Sequence, residues 1–253
     1  LDQFLYLGFC KMDEITPQLK VAILTPTYQR DHFLEQTQRY VEQQVLHNID
    51  YHWFVLDDSP HKTKHLQVFN QNPNISYYWL ESKKTLGYKR NMLNQIAFKW
   101  GANIICNMDD DDWYGANYVQ EMTKLLCSAD EIKFVGSGRD FYYDLKSNRV
   151  LDIPSVRDFS SCNGVLCYKI EVLKSHHYQD EASFAEEQYF LNSEKVYQYQ
   201  NIQKLHLALA HPNNTVTKKN YCYGDRYLSN LTLDDFPMRN EDREFYRNLH
   251  KQY

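Results

Sequence analysis

Short apolar runs alternate with longer stretches of mixed polarity through the first half of this chain, which is the pattern of strands and helices taking turns. Residues 19–24 are apolar and close on Thr25-Pro26-Thr27-Tyr28-Gln29-Arg30, so they read as a strand that Pro26 is expected to break. Leu34, Tyr40, Val41 and Val45 then approximate one face of a helix, with Asp31 as its expected N-cap. A second strand at 53–56 ends in Asp57-Asp58-Ser59-Pro60, and residues 75–80, rich in β-branched and aromatic side chains, form a third. Met92, Leu93, Ile96, Ala97 and Trp100 mark one face of a second helix, stopped by Gly101. A fourth, buried strand is expected over 103–108, ending in Asp109-Asp110-Asp111-Asp112-Trp113. Further strands are predicted at 131–137, 139–144 and 205–210. Residues 1–18 show no clear period and read as an arm, and the charged, aromatic stretch 220–253 reads as a helix-bearing segment that packs on the domain or covers the site.

The chemistry concentrates in the loops that follow these strands. Two carboxylates ~4 Å apart repel by about 4 kcal/mol at a protein surface, so four in succession at a strand end call for a counter-charge. A divalent metal is the simplest one, and oxygen ligands favour Mn2+ or Mg2+ shared with substrate phosphates. The turn from Thr25 to Arg30 precedes a helix start, where backbone N–H groups can receive phosphate or ribose. A carboxylate at Asp58 can accept hydrogen bonds from a ribose or a base. Lys89 and Arg90 fall in the first turn of their helix, where the dipole disfavours positive charge and an anionic partner would offset the cost.

Composition narrows the classes. The 253 residues carry a formal net charge of -5, without a polybasic cluster, which argues against a nucleic-acid surface. No window approaches a membrane span, and the start of the sequence lacks a secretory-signal pattern. Six cysteines with no Cys-x-x-Cys pair suit buried thiols in a reducing, cytoplasmic setting. The Tyr-, Asn- and Lys-rich usage would suit a large DNA virus, acting in its host's cytoplasm, or an AT-rich bacterium. Without a linker, repeat or low-complexity tract, a single domain is expected.

Taken in order, strand-Thr-Pro-Thr-Tyr-x-Arg, strand-Asp-Asp-Ser, Gly87-x-x-Arg90-Asn91 and strand-Asp-Asp-Asp-Asp-Trp resemble the nucleotide-sugar half of family 2-like glycosyltransferases with the GT-A fold. The resemblance is close over residues 19–128. It implies a single-domain α/β, Rossmann-like GT-A fold with a mostly parallel central sheet flanked by helices. Residues 19–128 would then form the donor half, 129–215 the acceptor and catalytic half, and 216–253 a C-terminal segment. Thr25, Pro26, Thr27 and Tyr28 would form the floor of the donor site and Asp58 would hold the base or ribose. Arg90 would line the diphosphate pocket, with Arg30, Lys84, Gly87, Asp109 and Asp110 completing the donor contacts. Asp109–Asp111 would be the Asp-x-Asp motif, with Asp111 the direct metal ligand, Asp109 turned to ribose or metal, and His211, after the last core strand, a further ligand.

In the second half the segment Ser161-Cys162-Asn163-Gly164-Val165-Leu166-Cys167-Tyr168 resembles the family's acceptor-side turn. Glu187 takes the position of the general base of inverting members, with Glu186 second, although Glu stands where the family commonly has Asp. The implied activity is sugar transfer, with inversion, from a nucleoside diphosphate-sugar donor to an acceptor hydroxyl, such as that of a glycan or glycoconjugate. Three other classes compete. A nucleotidyltransferase should carry a Gly-rich loop after the first strand, where residues 25–30 contain no glycine. A phosphohydrolase should carry its Asp-x-Asp after the first strand rather than the fourth. A non-catalytic carbohydrate-binding protein of the same fold would bind sugar or nucleotide without turnover.

Overall fold

The computed structural model describes residues 18–155, 160–215 and 218–251. The arm expected over residues 1–18 therefore lies, up to residue 17, outside the described residues. Eleven strands are described: β1 (Leu19–Thr27), β2 (Ile49–Asp57), β3 (Ile75–Trp79), β4 (Ile104–Asn107), β5 (Trp113–Tyr114), β6 (Phe134–Gly136), β7 (Asp140–Asp144), β8 (Arg149–Ile153), β9 (Cys167–Lys169), β10 (Val196–Gln198) and β11 (His206–Ala210). The helices are α1 (Asp31–Glu42), α2 (Leu66–Phe69), α3 (Leu86–Trp100), α4 (Tyr118–Leu126), α5 (Glu186–Leu191), α6 (Lys219–Cys222) and α7 (Asn240–His250).

The central sheet has the order β10-β6-β9-β4-β1-β2-β3 and is parallel except at β9, which runs against β4 and β6. Its middle strands are apolar on both faces because helices cover both. Val21 and Ile23 of β1, with Trp53 and Val55 of β2, meet α1, α4 and α7 in one core, and Ala22 and Leu24, with Phe54 and Leu56, meet α3 and α5 in the other. A second sheet, β5-β11-β7-β8, packs into the first of these cores through Phe141, Tyr143, Leu207 and Leu209. Among the described residues no helix is long and apolar enough to cross a membrane.

Several boundaries differ from the sequence reading. Pro26 does not break β1, which continues through it to Thr27 in register with β2. β4 pairs with β1 only as far as Leu24, so the missing N–H of Pro26 costs no ladder bond on that side. Asp31 is the first residue of α1 rather than its cap; Arg30 holds the cap position. Val45 lies beyond the end of α1 and is exposed. Gly101 ends α3 in the left-handed conformation, as expected. The C-terminal helix packs on the domain: Tyr246 and Leu249 are buried, Tyr246 meets the Tyr40 hydroxyl at 3.1 Å, and Asp242 accepts a 2.7 Å hydrogen bond from Gln36.

Candidate functional site

Because β1, β2 and β4 are parallel, their carboxyl ends deliver residues 25–30, 57–59 and 107–112 to one edge of the sheet, where open α/β sheets bind ligands. A cleft of about 900 Å3 opens there, closed on its far side by α5 and by residues 211–215 and 218–221. Pro26, Thr27, Tyr28 and Arg30 line it, as do Lys84, Arg90, Asp109–Asp112, Glu186, Glu187 and His211.

Three of the predicted donor residues sit behind this surface. Thr25 is fully buried, its hydroxyl donating to the Met108 carbonyl at 2.8 Å and accepting from Trp53 Nε1 at 2.8 Å, so it ties β1 to β4 beneath the floor. Asp58 is buried and accepts from the Lys84 backbone N–H at 2.6 Å and from Lys89 Nζ at 2.7 Å. Gly87 packs the start of α3 against the 179–182 loop, where a Cβ would overlap the Gln179 carbonyl oxygen. The anionic partners that offset Lys89 and Arg90 in the first turn of α3 thus come from the chain: Asp58 for Lys89, and Asp109 at 3.0 Å and Glu186 at 2.8 Å for Arg90. Arg90 Nη1 is left buried without a hydrogen-bond partner among the described residues, a donor available to an anionic ligand.

The run of four carboxylates is divided among internal cations in the same way. Arg30 Nη1 lies 2.6 Å from Asp110 Oδ1 and 3.0 Å from Asp111 Oδ2. Burial raises Asp110 to about 6, against the pull of Arg30. Burial acts on Asp111 in the same direction, but Arg30 and His211 overcome it and hold this carboxyl below the usual carboxylate range. The Asp112 carboxylate accepts from the Leu209 N–H at 2.7 Å and lies 3.2 Å from His206 Nε2. His206 Nδ1 is 2.8 Å from Asp140. Burial would discharge this imidazole, yet the flanking Asp140 and Asp112 raise it to about 10, so it is a cation at neutral pH. The crowding of charge beside Trp113 therefore does not by itself require a bound metal.

The residues do fit one. Asp111 Oδ2 and His211 Nε2 converge at 2.8 Å beside the cleft, and Asp109 stays partly exposed at its rim. Among the described residues no group of three or more His, Cys, Asp or Glu is placed to hold a metal ion by itself. A small protein donor set is what a hard ion shared with a diphosphate needs, since phosphate oxygens and water fill the remaining positions.

The two candidate bases separate clearly. Glu186 is buried, with Oε1 accepting from both Arg90 Nε and Asn163 Nδ2 at 2.8 Å, so its charge is spent holding α5 to α3. Glu187 lines the cleft and makes no ion pair among the described residues. Burial, with the neighbouring Glu186 and Asp109 charges, raises it to about 7. Ala185, the residue before α5, adopts a left-handed conformation with φ 50°, a sparsely populated region for a non-glycine residue.

Sequence reasoning did not single out Lys218, Asn163, Tyr142 or Tyr221, all of which line the cleft. Asn163 lies within the segment that resembles the family's acceptor-side turn. Lys218 and Tyr221 come from a stretch with no strand-end motif, and Tyr142 from the interior of a strand, so no local signal marked them.

Residues 22–197 match the model of the family described as glycosyl transferase family 2. No curated protein matches the chain. Among solved structures, TarS from S. aureus in complex with UDP is 17% identical with a TM-score of 0.55, over 77% of this chain and 61% of that one. The S. aureus TarS complex with UDP-GlcNAc is 15% identical with a TM-score of 0.54, over 78% and 60% of the two chains. The mannosyltransferase PcManGT from Pyrobaculum calidifontis, in complex with GDP-Man and Mn2+, is 11% identical with a TM-score of 0.56, over 81% and 59%. At these identities the likeness is one of fold, and this chain spans less than two thirds of each of those proteins.

Proposed function

The chain belongs to glycosyl transferase family 2, and from that premise we propose that it transfers a sugar, with inversion, from a nucleoside diphosphate-sugar to a hydroxyl of a glycan or glycoconjugate acceptor. Residues 19–128 supply the donor half, 129–215 the acceptor half and 216–253 a C-terminal segment of one domain. The observation that carries the reading is Glu187, a cleft-lining carboxylate free of ion pairs among the described residues and poised at about 7, where a general base works best. It takes the proton of the acceptor hydroxyl as that oxygen attacks the anomeric carbon from the face opposite the departing diphosphate. The bond to the diphosphate breaks, and its electrons leave on the phosphate oxygen.

Arg30, Lys84 and the unpaired nitrogen of Arg90 face the side where that charge develops. Asp111 and His211 would hold Mn2+ or Mg2+ together with the diphosphate, with Asp109 turned to the ribose or the same ion, and such an ion supplies further neutralisation of the leaving group. Thr27 and Tyr28 form the floor against which the nucleoside lies, with Asp58 fixing the loop behind it through Lys84 and Lys89.

Release of nucleoside diphosphate from a panel of UDP- and GDP-sugars, with and without Mn2+, tests the reading. Asp111→Ala and Glu187→Gln should each lose turnover, and wild-type rates in both would sink the assignment. A nucleotide-binding protein without activity would instead bind the panel and release nothing.

A further inference from the structure

A second cavity, of about 740 Å3, lies outside the cleft at the outer edge of β8. Residues 225–229 form its wall by pairing alongside that strand: Asp152 N–H donates to the Tyr227 carbonyl at 2.8 Å, Ser229 N–H to the Val150 carbonyl at 3.1 Å, and Leu228 bridges Leu151. Arg139 and Asp152 meet in the cavity as a two-pronged pair, at 2.8 and 2.6 Å, both partly exposed. Nothing in the donor chemistry uses these groups.

The cavity is joined to the cleft by tyrosines. Tyr142 and Tyr221 line the cleft with ring centroids 5.7 Å apart, and Tyr227, which lines the cavity, follows Tyr221 at 5.9 Å. All three rings are partly exposed. Each step is comparable to the length of one sugar residue. Aromatic faces pack against the C–H faces of sugars, and the Arg139–Asp152 pair offers planar donors and acceptors suited to ring hydroxyls. A single sugar or a small alcohol at Glu187 would leave this strip uncovered.

We propose that the acceptor is an oligosaccharide of roughly three or more residues, running from Glu187 over Tyr142, Tyr221 and Tyr227 into the cavity at Arg139 and Asp152. This rests on the sugar-transfer reading and names the substrate class of the same site. The test is retention of the full chain on an immobilised glycan array graded from single sugars to decasaccharides, alongside donor hydrolysis by water. Longer members of a retained series should bind more tightly than its monosaccharide. Tyr227→Ala should weaken them by roughly three- to tenfold, the size of one lost stacking contact, whereas Tyr227→Phe should bind as wild type. Donor hydrolysis should be unchanged in both variants. The proposal is overturned if no glycan is retained, if single sugars bind as well as long chains, or if Tyr227→Ala binds normally. Should Tyr227→Ala not fold, the length dependence of the wild type decides alone. Loss of donor hydrolysis in the wild type would count against the transferase reading and not against the strip.

Discussion

Replacing Glu187 with Gln removes an ionisable group that the fold holds at about 7, against an ordinary value of 4.5. In the folded protein this carboxyl keeps its proton in a pH window where the unfolded chain has released it. The stability it contributes is therefore complete below about pH 4.5 and is lost as pH rises through 7. At about 1.4 kcal/mol for each tenfold change in ionisation the full effect is about 3 kcal/mol, and access of solvent from the cleft screens it to ~1–3 kcal/mol. Glutamine cannot ionise, so Glu187→Gln should be more stable than wild type by that amount at pH 8 and equal to it at pH 4.5. Its donor turnover should fall by about 10²–10⁴-fold, and the limb of the wild-type pH–rate profile that rises through about 7 should vanish. Urea unfolding at the two pH values and steady-state release of nucleoside diphosphate measure both. Equal stability at pH 8, or a wild-type profile with no limb near 7, would refute the placement of this base.

His206→Ala leaves Asp112 and Asp140 buried without their shared cation and should cost ~3–5 kcal/mol in urea unfolding; a wild-type midpoint would contradict it. In the wild type the same imidazole, raised to about 10, contributes stability that is complete below pH 6.5 and lost as pH rises through 10, which a denaturation series in alkaline buffer would reveal. Gly87→Ala forces α3 away from the Gln179 carbonyl and should lower stability by ~1–3 kcal/mol, read as a drop in Tm. Asp111→Asn should weaken Mn2+ uptake in the presence of UDP by at least about tenfold in calorimetry, and unchanged uptake would remove Asp111 from the ligand set.

The strand-end motifs were legible in the sequence because each couples a buried apolar run to a polar loop, and parallel pairing makes such loops converge. That logic located Arg30 and Asp109–Asp111 at one cleft, to which the family resemblance added Arg90, Glu187 and His211. It does not reach the partners that side chains choose across the fold. Asp58 and Glu186 carry the right charge at the right strand and helix ends, but Lys89 and Arg90, from one turn of α3, draw them inward. The four-carboxylate run suggested one external counter-ion, whereas Arg30, Arg90 and His206, from separate elements, share the task. The short strands β5, β8 and β10 were not read, being two to five residues long and dependent on pairing for their existence.

The most direct test of sugar transfer with inversion is the anomeric configuration of the first sugar released from an α-linked nucleoside diphosphate donor, followed by proton NMR before the free sugar equilibrates. Attack opposite the departing diphosphate gives the β anomer as the initial product. An initial α anomer, or no release from any donor that the protein binds, would contradict it.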